Sequence, residues 1–147
     1  MNELQYTPSL AGITAANLAG LPHGWPKPPS GETVLKSLNV MNARMLAVDK
    51  STGQVVGYAC GMTDGVLILY VWDVELRPEY SGRGIEREML HRLFQTVGDI
   101  YQINANPDER GRPVFEGLGF VALRRDQACA MTRMRMDCQD GGPKAAR

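Results

Sequence analysis

Apolar positions recur along the chain with two different periods. Between residues 10 and 21, Leu10, Ile13, Leu18 and Leu21 fall at roughly helical spacing, with Ala15, Ala16 and Ala19 among them, and predict a first helix. A second stripe of Val34, Leu35 and Leu38 follows Ser30, whose short oxygen-bearing side chain suits an N-cap. That helix is expected to stop near residues 39–42. The intervening P-H-G-W-P-K-P-P holds four prolines and a glycine, which forbids a regular element and predicts an extended loop carrying His23 and Trp25. Trp25 has two readings at this stage, a plug that seats the loop on the core and a side chain lining a binding site.

Elsewhere the pattern is that of strands. A short strand is expected at residues 4–7, closed by Pro8. Residues 44–49 and 54–62 predict a hairpin around K-S-T-G, and Thr63, Asp64 and Gly65 make the next turn. Residues 66–76 are nearly continuous in apolar and β-favouring types, the pattern of a central strand buried on both faces. A glycine-bearing turn follows, and then Ile85, Met89, Leu93, Phe94 and Val97 mark one face of a helix whose His91 falls toward solvent. Residues 99–105 predict a strand. Asn106 or Pro107 begins a short helical stretch over 114–118 that Gly119 caps, and Phe120, Val121 and Leu123 start another strand. The alternation in residues 129–136 predicts a last strand, and the tail 137–147 is expected to be disordered. All this fits one domain over residues 1–136.

Charge narrows the function classes. Sixteen basic and sixteen acidic residues cancel, so no global field draws the chain to nucleic acid or an anionic membrane. Cys60, Cys129 and Cys138 are odd in number and lack metal-type spacing, which argues for reduced thiols, no metal and a cytoplasmic protein. The N-terminus has no signal-peptide pattern, and no apolar run reaches membrane-spanning length.

The candidate chemistry lies in Y-V-W-D-V-E-L-R-P-E-Y-S-G-R-G-I-E-R, residues 70–87. A strand that feeds a glycine turn and a helix start offers free N–H groups and a positive dipole end to a phosphate. Asp73 and Glu75 interrupt the apolar strand. Carboxylates there are costly to bury unless they are paired or face a cleft, so they belong either to a ligand site or to a solvated strand end.

The order of elements, with L-R-P-E-Y-S-G-R-G-I-E-R-E-M-L at residues 76–90 and V-F-E-G-L-G-F at residues 114–120, resembles the GNAT superfamily of acyl-CoA-dependent N-acyltransferases. The likeness covers roughly residues 30–136. It implies an α/β (α+β) GNAT-like fold, a mixed central sheet of about six to seven strands splayed at the fourth and fifth, flanked by about four helices. It also implies acetyl-CoA as acyl donor with no metal, and direct transfer to a primary amine of a small molecule or peptide. On the same grounds the turn Ser81, Gly82, Arg83, Gly84, Ile85 and Glu86 would hold the pyrophosphate, Val74 and Leu76 the pantetheine, and Glu75, with Asp73 second, would be the base. Expected partners are acetyl-CoA and the amine acceptor, not nucleic acid or membrane; a homodimer is compatible. Ser81 stands where the family pattern has a long Gln or Arg, Glu86 where it has a small residue, and Phe115 where it often has a general-acid tyrosine. These departures motivate an alternative, a catalytically weak acyl-CoA-binding or protein-interaction module. Tyr80 and Tyr101 are the candidate substitutes for the missing hydroxyl.

Overall fold

The computed structural model describes residues 3–123. Five strands form one sheet in the order β1 (Leu4–Thr7), β2 (Ala43–Asp49), β3 (Val55–Thr63), β4 (Ile68–Leu76) and β5 (Gln102–Ala105). The first three pairings are antiparallel and β4 with β5 is parallel. The helices are α1 (Ala15–Leu18), α2 (Gly31–Val40), α3 (Ile85–Val97) and α4 (Arg112–Glu116). Five strands stand against the expected six to seven; the strand expected at residues 129–136 and the tail lie outside the described residues. Residues 120–123, expected to start a strand, carry no regular structure, with Phe120 packed edge-on against Phe115 and Val121 exposed.

Strand alternation puts two cores on the two faces of the sheet. Ala43, Met45, Ala47, Val56, Ala59, Leu69 and Val71 meet Ile85, Met89, Leu90 and Leu93 of α3 on one face. Leu46, Val48, Val55, Tyr58 and Cys60 meet Leu18, Leu21, Val34 and Leu38 on the other. α2 starts where its sequence predicts, the Ser30 hydroxyl accepting from the Thr33 N–H.

The first helix is shorter than its apolar spacing predicts. Gly12 and Gly20 both sit at positive φ, and the Thr14 N–H donates to Asn17 Oδ1 at 2.8 Å, so only Ala15–Leu18 closes a turn while Leu10 and Ile13 pack from outside it. β4 also differs from its prediction. Ile68 and Trp72 are about half exposed, because α3 covers one face of β4 while the α2 core reaches only β2 and β3 on the other. The preceding turn is held by Asp64, whose Oδ1 accepts the N–H groups of Val66, Leu67 and Ile68; those bonds hold its carboxyl below the usual range.

Candidate active site

The site is made by two irregularities in β4. The first is a bulge. Cys60 faces Asp73 and Gly61 faces Val71, so Trp72 is an extra residue on β4. A Cβ on Gly61 would lie 2.2 Å from the Tyr70 carbonyl oxygen, so the strands close up there only around a glycine. The extra residue reverses the alternation. Leu69 and Val71 face α3 before the bulge, Val74 and Leu76 face α3 after it, and Asp73 and Glu75 are turned to the opposite face with Tyr58, Cys60 and the proline loop. In an unbroken strand both acids would share a face with Leu69 and Val71.

The second irregularity is a missing neighbour. β5 pairs with β4 from Ile68↔Gln102 to Val71↔Ala105 and then ends, so that among the described residues β3 is the one strand neighbour of residues 72–76. This is the expected splay between the fourth and fifth strands. The Arg77 N–H bonds to Val56 O at 2.8 Å, so ladder alternation aims the amides of Val74 and Leu76 away from β3 into the gap. A cleft of about 250 Å³ fills that gap, lined by Trp25, residues 71–75, residues 105–108, Gly111 and Phe115. Asn106 at its wall donates to the Tyr70 hydroxyl at 2.8 Å.

Asp73 and Glu75 have distinct surroundings. Glu75 Oε2 accepts the His23 N–H at 3.1 Å. Burial pushes its carboxyl from the ordinary 4.5 up to about 7, helped by nearby Asp73 and opposed by bonds from the His23 amide and the Trp25 side chain. Asp73 Oδ2 accepts from the Tyr58 hydroxyl at 2.9 Å; burial raises its carboxyl too, against the pull of the Tyr58 bond and the Val74 amide. The same carboxylate raises both Tyr58 and Cys60, after burial, with the Cys60 thiol pushed up to about 12. Such a thiol stays protonated and is a poor nucleophile.

Trp25 combines both of its readings, bonding Glu75 and lining two clefts. The second cleft, about 140 Å³, runs under α2 between Pro22, Pro29, Thr33, Ser37, Tyr58 and Cys60, and shares Trp25, Trp72 and Asp73 with the first. Tyr58, Trp72 and Asn106 were not legible as site residues. Their positions depend on register and on a bulge, which leave no local mark in the sequence.

The glycine turn is anchored before it reaches the helix. Arg77 donates through Nε to Val55 O at 2.8 Å and through Nη2 to Ala19 O at 2.7 Å, while the Tyr80 hydroxyl donates to buried Asp49 at 3.2 Å. Gly82 and Gly84 adopt φ of 74° and 73°, and α3 makes its first internal bond from the Glu88 N–H to Gly84 O. The N–H groups of Ile85, Glu86 and Arg87 therefore have no intrahelical acceptor and point out of the helix end. The Ile85 side chain is buried and pins that end to the core. Ser81 uses its own N–H on Pro78 O, and Glu86 is half-buried in the first turn. Arg83 is turned back, donating to Glu79 O at 2.9 Å with its guanidinium 5.0 Å from the centre of the Tyr80 ring. Neither candidate substitute for the missing hydroxyl reaches the cleft. Tyr80 is committed to Asp49, and Tyr101 is 85% exposed, whereas Phe115 is buried at the cleft wall.

Comparison with known proteins agrees with this geometry. Residues 12–120 match the model of the acetyltransferase (GNAT) family. A candidate acetyltransferase from Deinococcus radiodurans R1 superposes with a TM-score of 0.82 at 32% identity, over 98% of this chain and all 100% of that one. The diaminobutyrate acetyltransferase EctA from Paenibacillus lautus, solved with its substrate and coenzyme A, shares the fold with a TM-score of 0.60 at 19% identity, over 80% of this chain and 75% of its own. The histone acetyltransferase TAP1 of Glycine max is 27% identical over 110 residues, 67% of this chain. The match spans 47% of TAP1 and 44% of a second Glycine max relative, so this chain accounts for less than half of either.

Proposed function

The chain belongs to the GNAT acetyltransferase family, and from that membership we propose that it moves an acetyl group from acetyl-CoA directly to a primary amine of a small molecule or peptide. One observation carries the reading. Past the end of β5, β4 turns its outer edge and the Glu75 carboxyl to a single cleft, and the strand then runs into an anchored glycine turn.

In this reading the free N–H groups of Ile85, Glu86 and Arg87 and the positive end of α3 receive the pyrophosphate, with Gly82 and Gly84 keeping side chains out of the way. Arg83 swings from the Glu79 carbonyl to join them. The Leu76 amide, and the Val74 amide once it leaves the Asp73 carboxylate, continue the ladder onto pantetheine, as β5 would have done. Glu75 takes a proton from the incoming ammonium, directly or through a water. The neutral nitrogen attacks the thioester carbon, the adduct's nitrogen gives its extra proton to water, and the carbonyl re-forms as the C–S bond breaks and the thiolate leaves. A base with a pKa near 7 is half ionised at neutral pH and strong enough to accept that proton. Phe115 has no proton to give, so the thiolate takes one from solvent, which a good leaving group tolerates. Asp73 is the weaker candidate for the base, being already engaged with Tyr58.

Release of free thiol from acetyl-CoA across a panel of amines tests the reading. Amine-dependent release that falls with Glu75→Gln supports it, and no release with any amine removes it. The binding-module alternative rests on Phe115 and on the carboxylate of Glu86 beside the turn; calorimetric binding of acetyl-CoA without turnover would favour it.

A further inference from the structure

We propose that the acceptor is a small dicationic amine, with one ammonium held by Asp73 between Trp25 and Trp72 while the other is presented to Glu75. This rests on the acetyl-transfer reading above and narrows it to a substrate class.

The two clefts are one continuous lining interrupted by three side chains, because Trp25, Trp72 and Asp73 border both. An acceptor entering beneath α2 passes these residues before it reaches Glu75. The charges on that path have one sign. Among the described residues the two linings contain Asp73, Glu75 and Asp108 and no Lys, Arg or His. An acceptor bearing a carboxylate would therefore bring an unpaired anion against like charges, whereas each cation added to it gains a partner.

Asp73 is fitted to bind rather than to react. The Tyr58 hydroxyl fixes one carboxylate oxygen at 2.9 Å and the Val74 amide also bonds the carboxylate, which keeps further lone pairs to offer an ammonium. Trp25 and Trp72 line both clefts together with Asp73, and indole faces attract desolvated cations. Because the bulge precedes Asp73, Asp73 and Glu75 point the same way from one regular strand, about 7 Å apart along it. Two like carboxylates at that separation, on one wall, match two ammonium ends of one short chain.

Trp25 and Trp72 are the only tryptophans in the sequence, so intrinsic fluorescence of the full chain reports on this position alone. Cadaverine, pentylamine and δ-aminovalerate, of similar length but different end charge, are titrated separately at mildly alkaline pH. The expected result is a saturable change with cadaverine at a Kd at least about tenfold below that of pentylamine, with δ-aminovalerate weaker still. Asp73→Asn is expected to erase the cadaverine advantage. The proposal is overturned by no saturable response to cadaverine, by equal affinity for pentylamine or δ-aminovalerate, or by an advantage that survives Asp73→Asn. Thiol release with the same amines separates the two readings. Selective cadaverine binding without acetylation of any amine leaves the dication site standing and removes acetyl transfer, while acetylation indifferent to the second charge does the reverse.

Discussion

The two halves of β4 share a strand, a neighbour in β3 and a similar proportion of large side chains, yet they do opposite work. Residues 68–71 are bonded on both sides, and Leu69 and Val71 are sealed under α3. Residues 73–76 are bonded on one side, with every side chain half-buried and two acids on the face away from α3. What separates them is one extra residue at position 72 and the end of β5 at Ala105. A ligand site here is a piece of sheet left unfinished on one edge, and the finished half keeps it in place.

The comparison is sharpened most by removing a side chain from each half. Leu69→Ala empties a fully buried position and is expected to cost about 3 kcal/mol in denaturant unfolding. Leu76→Ala, half-buried against the α3-side core, should cost less than about half of that. Equal costs would mean that the open half is packed as tightly as the closed one.

Glu75→Gln tests the open half by chemistry. A general base contributes about 100-fold or more, so kcat/KM is expected to fall by at least that factor while the Kd for acetyl-CoA holds. In the unaltered protein kcat/KM should rise with pH through about 7, as the base loses its proton, and the variant should lose that step. The same carboxyl affects stability with the opposite sign. Its folded pKa lies above its ordinary 4.5, so the native state holds the proton more tightly and its stability falls as pH rises from there through about 7. Glu75→Gln is spared that decline and should gain on the order of 1 kcal/mol over the unaltered protein above the window, a figure kept low because the group is partly solvated.

Gly61→Ala attacks the boundary between the halves. Its Cβ would meet the Tyr70 carbonyl at 2.2 Å, so the bulge must open, at a cost of about 1–3 kcal/mol. Activity should fall further than stability accounts for, because Asp73 and Glu75 lose their shared direction; unchanged kcat/KM in the folded fraction would break the link between bulge and site. The smallest effect is expected from Glu86→Gln. Removing a partly solvated carboxylate beside the turn should tighten acetyl-CoA by no more than about 1 kcal/mol, and less at high salt; weaker binding would refute the repulsion.

Much of this molecule was legible in the chain because its signals are local. Ser30 caps α2 through a bond that spans three residues, and the Thr63, Asp64 and Gly65 turn closes on the Asp64 side chain. Gly82 and Gly84 adopt the positive φ that their place in the turn required, and the apolar stripe from Ile85 to Leu93 lies against the sheet. The first helix misled because apolar spacing was counted across Gly12, where the backbone turns left-handed. Asp73 and Glu75 stood out as carboxylates in an apolar strand, but their direction did not.

By itself the sequence determined the element order, the glycine turn and the presence of two acids beside it, since each depends on residues within a turn or two of one another. Only the tertiary structure decided which way those acids face and what they meet. The bulge at Trp72 reverses the strand's alternation, β5 stops where the cleft begins, and Tyr58 reaches Asp73 from fifteen residues away. Register between strands is set by the packing of both cores together. No stretch of the chain read alone carries that information.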